Sequence, residues 1–169
     1  RKELIEQDPK SDEIIRPILR GRDIKRYGYD FADLWLINTH NGIKEKGIKP
    51  INIKDYPAIK KHLDGYWKEI EKRADQGITP YNLRNCAYME DFFKQKIVWK
   101  AVGRNLAFSL LEEGSFITAP ASFITSNQNL YLLGFLCSSF AKYYILNNSD
   151  TTGAGDVMLN IQSLSSIPI

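Results

Sequence analysis

The residues best suited to chemistry form a short cationic run, Arg20-Gly21-Arg22-Asp23-Ile24-Lys25-Arg26-Tyr27. It places four cations and an aromatic ring around one glycine. Cationic groups on such a loop neutralise the backbone phosphates of nucleic acids. We expect Asp23 to orient one arginine. Arg22 is the direct neighbour of Asp23, so among the predicted phosphate contacts it is the one most at risk of pairing with Asp23 instead. The alternative is a solvated basic loop in which Ile24 and Tyr27 fill the core.

A second basic segment, residues 94 to 104, carries four cations and no acidic residue. Its alternating part, residues 96 to 102, places Lys96 and Lys100 on one face of a strand and Ile97 and Trp99 on the other. Two residues of a strand span about 7 Å, which is close to the spacing of successive phosphates on one nucleic-acid strand.

The charge of the chain is segregated between these two segments and the rest. Residues 16 to 27, which contain this run, have a net charge of +4, and so do residues 94 to 104. The whole chain has +3, so the remaining residues sum to −5. Such segregation creates a local field that a mean value hides. We predict a phosphate-binding set in one or two neighbouring patches, composed of Arg20, Arg22, Lys25, Arg26, Lys96, Lys100 and Arg104.

Reading a base sequence requires side chains with paired donors and acceptors on loops that can enter the major groove. The polar loop from 75 to 85 offers such groups, and Arg84 is our preferred candidate for a guanine edge. The alternative is that these residues serve as caps and turns, with Arg84 paired to an acid. The candidates for base reading are Gln76, Tyr81, Asn82, Arg84, Asn85 and Asn105.

No residue pattern in the chain indicates a catalytic or metal site. His40 and His62 have no partners at metal-ligand spacing, and Cys86 and Cys137 stand apart. Asp23-Ile24-Lys25 matches half of a metal-dependent nuclease signature, but such triplets are common. Gly153-Ala154-Gly155 lacks the third glycine and the Lys-Ser/Thr pair of a phosphate loop. We predict no catalytic residue, metal or cofactor in this chain.

The composition indicates a folded chain in a reducing environment. The chain has 169 residues, 43% of them hydrophobic, which fits one domain of ordinary size or at most two small ones and excludes disorder. Two cysteines without a signal peptide favour a cytoplasmic location. Lys142 interrupts the apolar segment 129 to 147, which therefore predicts a buried helix rather than a membrane span. We expect a single domain over 1–169, as a piece of a longer chain.

The periodicity predicts helices at 2–7, 56–74 and 129–146, and strands at 34–39, 96–102, 106–111 and 115–125. This order favours an α+β fold with a mixed, mainly antiparallel sheet flanked by a few helices. The apolar face of the 56–74 helix (Ile59, Leu63, Trp67 and Ile70) is expected against Ile97 and Trp99. Leu132, Leu136 and Phe140 are expected to close the core.

Seven short motifs of the chain resemble, in order and spacing, those of the TaqI-like C-terminal specificity domain, with Cys137 and Tyr81 replacing the more usual Asn and Trp. They cover roughly residues 11 to 169. The tail is also similar to the end of recognition domains in type I restriction specificity subunits. The motifs are Leu19 to Tyr27, Trp35-Leu36-Ile37, Tyr56-Pro57 through His62-Leu63, Tyr81-Asn82-Leu83-Arg84, Lys96-Ile97-Val98, Tyr131 to Leu136 and Leu164 to Ile169.

The resemblance implies a non-catalytic DNA target recognition module of a restriction-modification enzyme. The parent protein would methylate the N6 atom of adenine with S-adenosylmethionine bound in an upstream domain, with or without a nuclease, as in type IIG restriction enzymes. Its partners would be double-stranded DNA and that upstream methyltransferase domain, with no membrane. The alternatives are a protein interaction or scaffolding domain with ordinary basic loops, and a small hydrolase.

Overall fold

The computed structural model describes residues 1–168 and has the α+β fold that the sequence predicts. Short 3₁₀ helices link many of the elements. The α-helices of these residues are α1 (Lys2–Gln7), α2 (Pro57–Asp64), α3 (Trp67–Glu71), α4 (Asn129–Leu136), α5 (Ser139–Asn148) and α6 (Ile161–Ser165). The strands are β1 (Ile15–Leu19), β2 (Ile24–Lys25), β3 (Gly28–Tyr29), β4 (Trp35–Ile37), β5 (Lys96–Lys100), β6 (Val102–Gly103), β7 (Phe108–Leu111), β8 (Phe116–Ile117), β9 (Ala121–Ile124) and β10 (Val157–Met158).

The chain folds into two compact units, each with its own hydrophobic core. Unit 1 comprises Arg1–Arg16 and Trp35–Met89, and unit 2 comprises Pro17–Leu34 together with the chain from Glu90 onward. Strand β1 begins in unit 1 and ends in unit 2. The last residue of the closing motif, Ile169, lies outside the described residues.

The core of unit 1 forms where α2 packs on the segments around Ile14 and Ile53. Ile59 is fully buried, and Leu63 packs against the same cluster. The predicted helix from 56 to 74 is divided into α2 and α3. The backbone N–H of Gly65 bonds to His62 O at 3.2 Å, and that of Tyr66 bonds to Leu63 O at 2.9 Å. These tight i to i−3 bonds satisfy the last carbonyls of α2 and end it.

Unit 2 is organised around β5, which pairs antiparallel with β7 on one side and with β9 on the other. Ile97 and Trp99 pack on the side of α4 and α5, in a cluster that contains Leu136 and Ile145. The Trp99 indole N–H donates to Leu159 O at 2.9 Å. The opposite face is also buried, because Val98 packs there in a second cluster.

That second cluster of unit 2 also contains Leu19, which directly precedes the cationic run, and Ile24, which lies within it. Leu19, at the end of β1, and Ile24, at the start of β2, pack with Val98 and Leu111. β1 itself pairs in parallel with β8, through Ile18 opposite Phe116 and Leu19 opposite Ile117. The turn from Arg20 to Asp23 is therefore anchored on both sides in the cluster around Val98.

The predicted contact between the 56–74 helix and the 96–102 strand is wrong. Ile59 and Leu63 belong to the core of unit 1, whereas Ile97 and Trp99 belong to that of unit 2. Trp67 is half-buried, with its ring 5.2 Å from that of Tyr81. Amphipathic spacing identifies a buried face but does not identify the surface that covers it.

The last apolar segment forms two helices instead of the predicted one. Ser138 caps the second, since its Oγ accepts from the Ala141 N–H at 3.1 Å. Leu132 and Leu136 join the core around Trp99 as predicted, whereas Phe140 is 52% exposed and does not close it. Among residues 1–168, no helix has the length and apolar character needed to cross a bilayer.

We expect Trp99→Ala to lower the free energy of unfolding by ~3–5 kcal/mol, because it removes a fully buried ring and leaves a cavity. Trp67→Ala should cost less, since the Trp67 side chain is only partly buried in the folded chain. Urea denaturation of both variants beside the wild type measures the two losses. Equal losses would contradict this assignment of the core.

Candidate nucleic-acid interface

The turn between β1 and β2 is closed by Asp23. The carboxylate of this buried residue accepts three hydrogen bonds from Arg20: from the backbone N–H at 2.9 Å, from Nε at 2.9 Å and from Nη2 at 2.8 Å. The hydrogen bonds from the Arg20 side chain lower the pKa of Asp23 despite its burial, and Arg22 nearby lowers it further. Charge-assisted bidentate pairs of this kind fix a guanidinium firmly.

Asp23 thus orients an arginine, as the sequence suggested, but that arginine is Arg20. The expectation that Arg22 would be used up internally is wrong, because Arg22 is exposed. The reason lies in the 3₁₀ turn at Gly21–Asp23, which brings residue 20 back over residue 23 and turns residue 22 outward.

Lys100 of the second basic segment lies against this turn. A Cβ atom built on Gly21 would be 3.2 Å from Lys100 Cγ, and one built on Gly103 would be 2.6 Å from Lys100 Nζ. The aliphatic stem of Lys100 therefore passes over Gly21, and its ammonium group sits above Gly103. We name the resulting surface of unit 2, formed by Arg20, Gly21, Arg22 and Lys100, the basic turn.

Lys96 does not belong to the phosphate-binding set. It is fully buried, and its ammonium group donates to Ser115 O at 3.1 Å and to Glu112 O at 3.2 Å. The sequence placed Lys96 and Lys100 on one solvated strand face, but that face is covered along β5 and opens only near Lys100. An ammonium group held inside by two carbonyls cannot reach a phosphate.

The other predicted cations lie at the surface of unit 2, in exposed residues. Lys25 is 3.4 Å from Asp30, and Arg104 Nε is 3.6 Å from Asp156. Exposed pairs at such distances contribute little and release their cations readily to a stronger anion. Arg26 differs from these two, because its Nη2 donates to Cys137 O at 2.7 Å.

The candidate base-reading loop lies in unit 1, and Asn82 holds it together. Asn82 is buried, with Nδ2 donating to Ile51 O at 2.9 Å and Oδ1 accepting from Thr79 Oγ1 at 2.6 Å. Its predicted role in base reading is therefore wrong, because both ends of the amide are used inside the unit. Arg73 completes the support by donating to Asn82 O at 2.5 Å, a role that sequence reasoning missed.

Two more candidates of this loop have their polar ends engaged. Gln76 Nε2 donates to Glu71 O at 2.7 Å, and the Tyr81 hydroxyl donates to Asp64 Oδ1 at 2.5 Å. The bond to Asp64 raises the pKa of Tyr81.

The remaining three candidates are exposed. Arg84 makes a loose pair with Asp75 at 3.5 Å, both side chains being 71% exposed. Asn85 accepts a hydrogen bond from the Asn41 side chain. Asn105 lies in unit 2, in the turn after β6.

Tyr27 belongs to the cationic run, and the sequence left undecided whether its ring fills the core or faces the solvent. It is 57% exposed, whereas Ile24 fills the core with 5% exposure. β2 and β3 leave only Arg26 and Tyr27 between them, which places Tyr27 at the tip of a hairpin; the dipeptide Arg-Tyr carries no turn signal in the sequence. No group of three residues of the His, Cys, Asp and Glu types that could hold a metal occurs among residues 1–168.

Burial lowers the pKa of Lys96 from 10.5 to about 8, although Glu113 and Glu112 partly oppose the shift. Between these two pH values the unfolded chain binds more protons than the folded one, so the free energy of unfolding should rise with pH. The rise from this group is at most ~3 kcal/mol. In Lys96→Met this rise is absent.

Urea denaturation at several pH values from 7 to 10 measures this rise as the change with pH in the difference between the free energies of unfolding of the wild type and Lys96→Met. The exposed Lys142→Met is the matched control and should follow the wild type. A constant difference across this range would contradict the burial of the ammonium group.

The family model for the TaqI-like C-terminal specificity domain matches residues 16–169. The match begins just before the basic turn and includes both basic segments and the loop of unit 1. A comparison with curated proteins finds no matching relative. Such a domain is a non-catalytic recognition module. The chain therefore belongs to the family of TaqI-like C-terminal specificity domains, which serve DNA target recognition in restriction-modification systems.

Proposed function

We propose that this chain holds duplex DNA in register for an N6-adenine methyltransferase domain located upstream in the same protein. The observation that carries the proposal is the basic turn of unit 2, in which Lys100 from one basic segment lies on the turn that carries Arg20 and Arg22. Cations from distant parts of the sequence thus lie on one turn.

The internal bonds of the basic turn suit a phosphate contact. Asp23 neutralises part of the charge of Arg20, but it also fixes the guanidinium plane, so that less side-chain freedom is lost on binding. Arg22 remains exposed, and Lys100 is partly buried but still reaches the surface. Phosphate contacts of this kind set the register of a protein on DNA and carry no base information themselves.

Base readout is assigned in this proposal to the exposed residues Arg84, Asn85 and Asn105. A bidentate arginine contact to guanine discriminates by ~1–3 kcal/mol against a wrong base. Arg84 is available for such a contact, since an exposed pair at 3.5 Å to Asp75 contributes little.

The methyl donor S-adenosylmethionine would bind to the upstream domain and supply the methyl group there. An enzyme that modifies a base inside a duplex must turn the nucleotide out of the stack, and it pays an unstacking cost of a few kcal/mol. A second surface that holds the flanking phosphates keeps the register during this step. The upstream domain belongs to a methyltransferase with or without a fused nuclease, as in type IIG restriction enzymes.

The first test is the salt dependence of DNA binding by the 169-residue chain, measured by fluorescence anisotropy with a labelled duplex. The affinity should fall steeply as salt rises, because each phosphate contact releases a counterion. Lys100→Met keeps the aliphatic stem over Gly21 but removes the charge. It should weaken binding to all duplexes alike and reduce the slope of log K against log salt by about 1.

Lys142→Met is the matched control for this experiment, because Lys142 is an exposed lysine of α5 outside both basic segments. It should bind like the wild type. No binding at low salt, or binding that ignores salt, would contradict the DNA proposal and favour a protein interaction domain.

The second test uses the full-length protein and asks where methylation occurs. In Arg84→Ala, sequencing of methylated adenines should show relaxed preference at one base position, because one bidentate contact is lost. A uniform loss at all sites would make Arg84 a phosphate contact. Unchanged methylation would leave it without a role in recognition.

A further inference from the structure

The hairpin that follows the basic turn carries an aromatic ring at its tip. β2 and β3 pair antiparallel, with Lys25 opposite Gly28, so the loop consists of Arg26 and Tyr27. Tyr27 has φ = +64°, in the left-handed region. The second position of such a loop usually takes glycine or asparagine, because other side chains are strained there.

Tyr27 is held from two directions. Its backbone N–H donates to Phe108 O of β7 at 2.8 Å. The guanidinium carbon of Arg26 lies 4.9 Å from the centre of the Tyr27 ring, and Arg26 itself is anchored on Cys137 O at the end of α4. A cation at a helix C-terminus is in a favourable position. The ring is thus supported on an anchored guanidinium.

The fold of unit 2 does not use this ring for its core. Ile24, three residues earlier, is buried beside Val98 and Leu111, whereas Tyr27 is 57% exposed. A strained residue at an exposed position persists where the surrounding structure determines it, and such residues cluster at ligand sites. The neighbours of this one are cationic, since Lys25 and Arg26 precede it.

We propose that Tyr27 is a DNA contact that packs its ring against a nucleobase of the duplex held by the basic turn. This inference rests on the proposed function. The faces of the bases in a duplex are already stacked on one another, so the ring reaches a nucleobase by entering a base step as a wedge, while the neighbouring cations attract the backbone. Arg26 is then a positioning residue, with its guanidinium placed under the ring.

The strained backbone supplies a variant that separates a role in binding from a role in folding. Tyr27→Gly removes the ring and also removes the strain at φ = +64°, so its thermal midpoint should be at or above that of the wild type. Tyr27→Asn is a second variant that tolerates this backbone. Tyr27→Phe keeps the ring and removes the hydroxyl. Tyr143→Ala is the control, since Tyr143 is a 70% exposed tyrosine of α5.

The measurement is the affinity of the 169-residue chain for a duplex at several salt concentrations. Tyr27→Gly and Tyr27→Asn should each bind about tenfold more weakly at every concentration, with the salt slope of the wild type. Tyr27→Phe and Tyr143→Ala should bind like the wild type.

Wild-type affinity in Tyr27→Gly would overturn the inference and leave the proposed function standing. Weak binding by Tyr27→Phe would assign the contact to the hydroxyl, and a salt slope lower by about 1 in Tyr27→Gly would indicate a lost phosphate contact; both overturn base stacking. Absence of salt-dependent binding by the wild type would overturn the proposed function and this inference together.

Discussion

Burial of β5 on both faces is the constraint on which the architecture of unit 2 depends. Ile97 and Trp99 are covered on the side of α4 and α5, and Val98 is covered on the other side. Leu19 and Ile24 provide part of that second cover. Because these two residues bracket residues 20 to 23, this four-residue segment must turn sharply at the sheet. The side chain of Lys100, at the end of β5, lies against Gly21 of this turn.

Asp23 and Lys96 are buried ionisable groups of unit 2, and the fold compensates their charges in different ways. Asp23 receives three hydrogen bonds from one arginine, so its charge is compensated and its pKa falls. Lys96 is held by two backbone carbonyls, and burial disfavours its charged form. A buried charge that is paired with an opposite charge and fully hydrogen-bonded holds its neighbours in one geometry. A buried charge whose desolvation is only partly offset lowers the free energy of unfolding. The Arg20–Asp23 pair therefore makes the basic turn rigid. Lys96 instead donates hydrogen bonds to backbone carbonyls inside unit 2 and takes no part in the basic turn.

In unit 1 the candidate base-reading residues lie on the loop from 75 to 85, which hydrogen bonds attach to the rest of the unit. Asn82 and Arg73 bind the backbone of this loop to the rest of the unit, and Tyr81 ties it to Asp64. Loops that carry binding residues need such a scaffold, because a mobile loop loses more conformational freedom on binding. Of the polar side chains predicted here for recognition, the ones left at the surface are Arg84 and Asn85.

The sequence by itself determined the α+β class, the positions of most elements and the family, because these depend on local periodicity and on motifs in a fixed order. It also identified the two basic segments, since charge is read directly from residue types. It did not distinguish Lys96 from Lys100: an alternating pattern gives the faces of a strand but not what covers them. For the same reason it placed the 56–74 helix against the wrong strand.

Tertiary structure decided which polar groups face the solvent. Arg20 rather than Arg22 pairs with Asp23 because a 3₁₀ turn, and not adjacency in sequence, brings the groups together. Asn82 became an internal support because the backbone around Ile51 surrounds it with hydrogen-bonding partners. Tyr27 became an exposed ring because the hairpin places Ile24 in the core. The pairing of Arg20 with Asp23 follows from the local geometry of a turn, which residue types alone do not give. Asn82 and Ile24 are fixed by packing and hydrogen bonds with residues far apart in sequence, and local sequence patterns carry no record of such contacts.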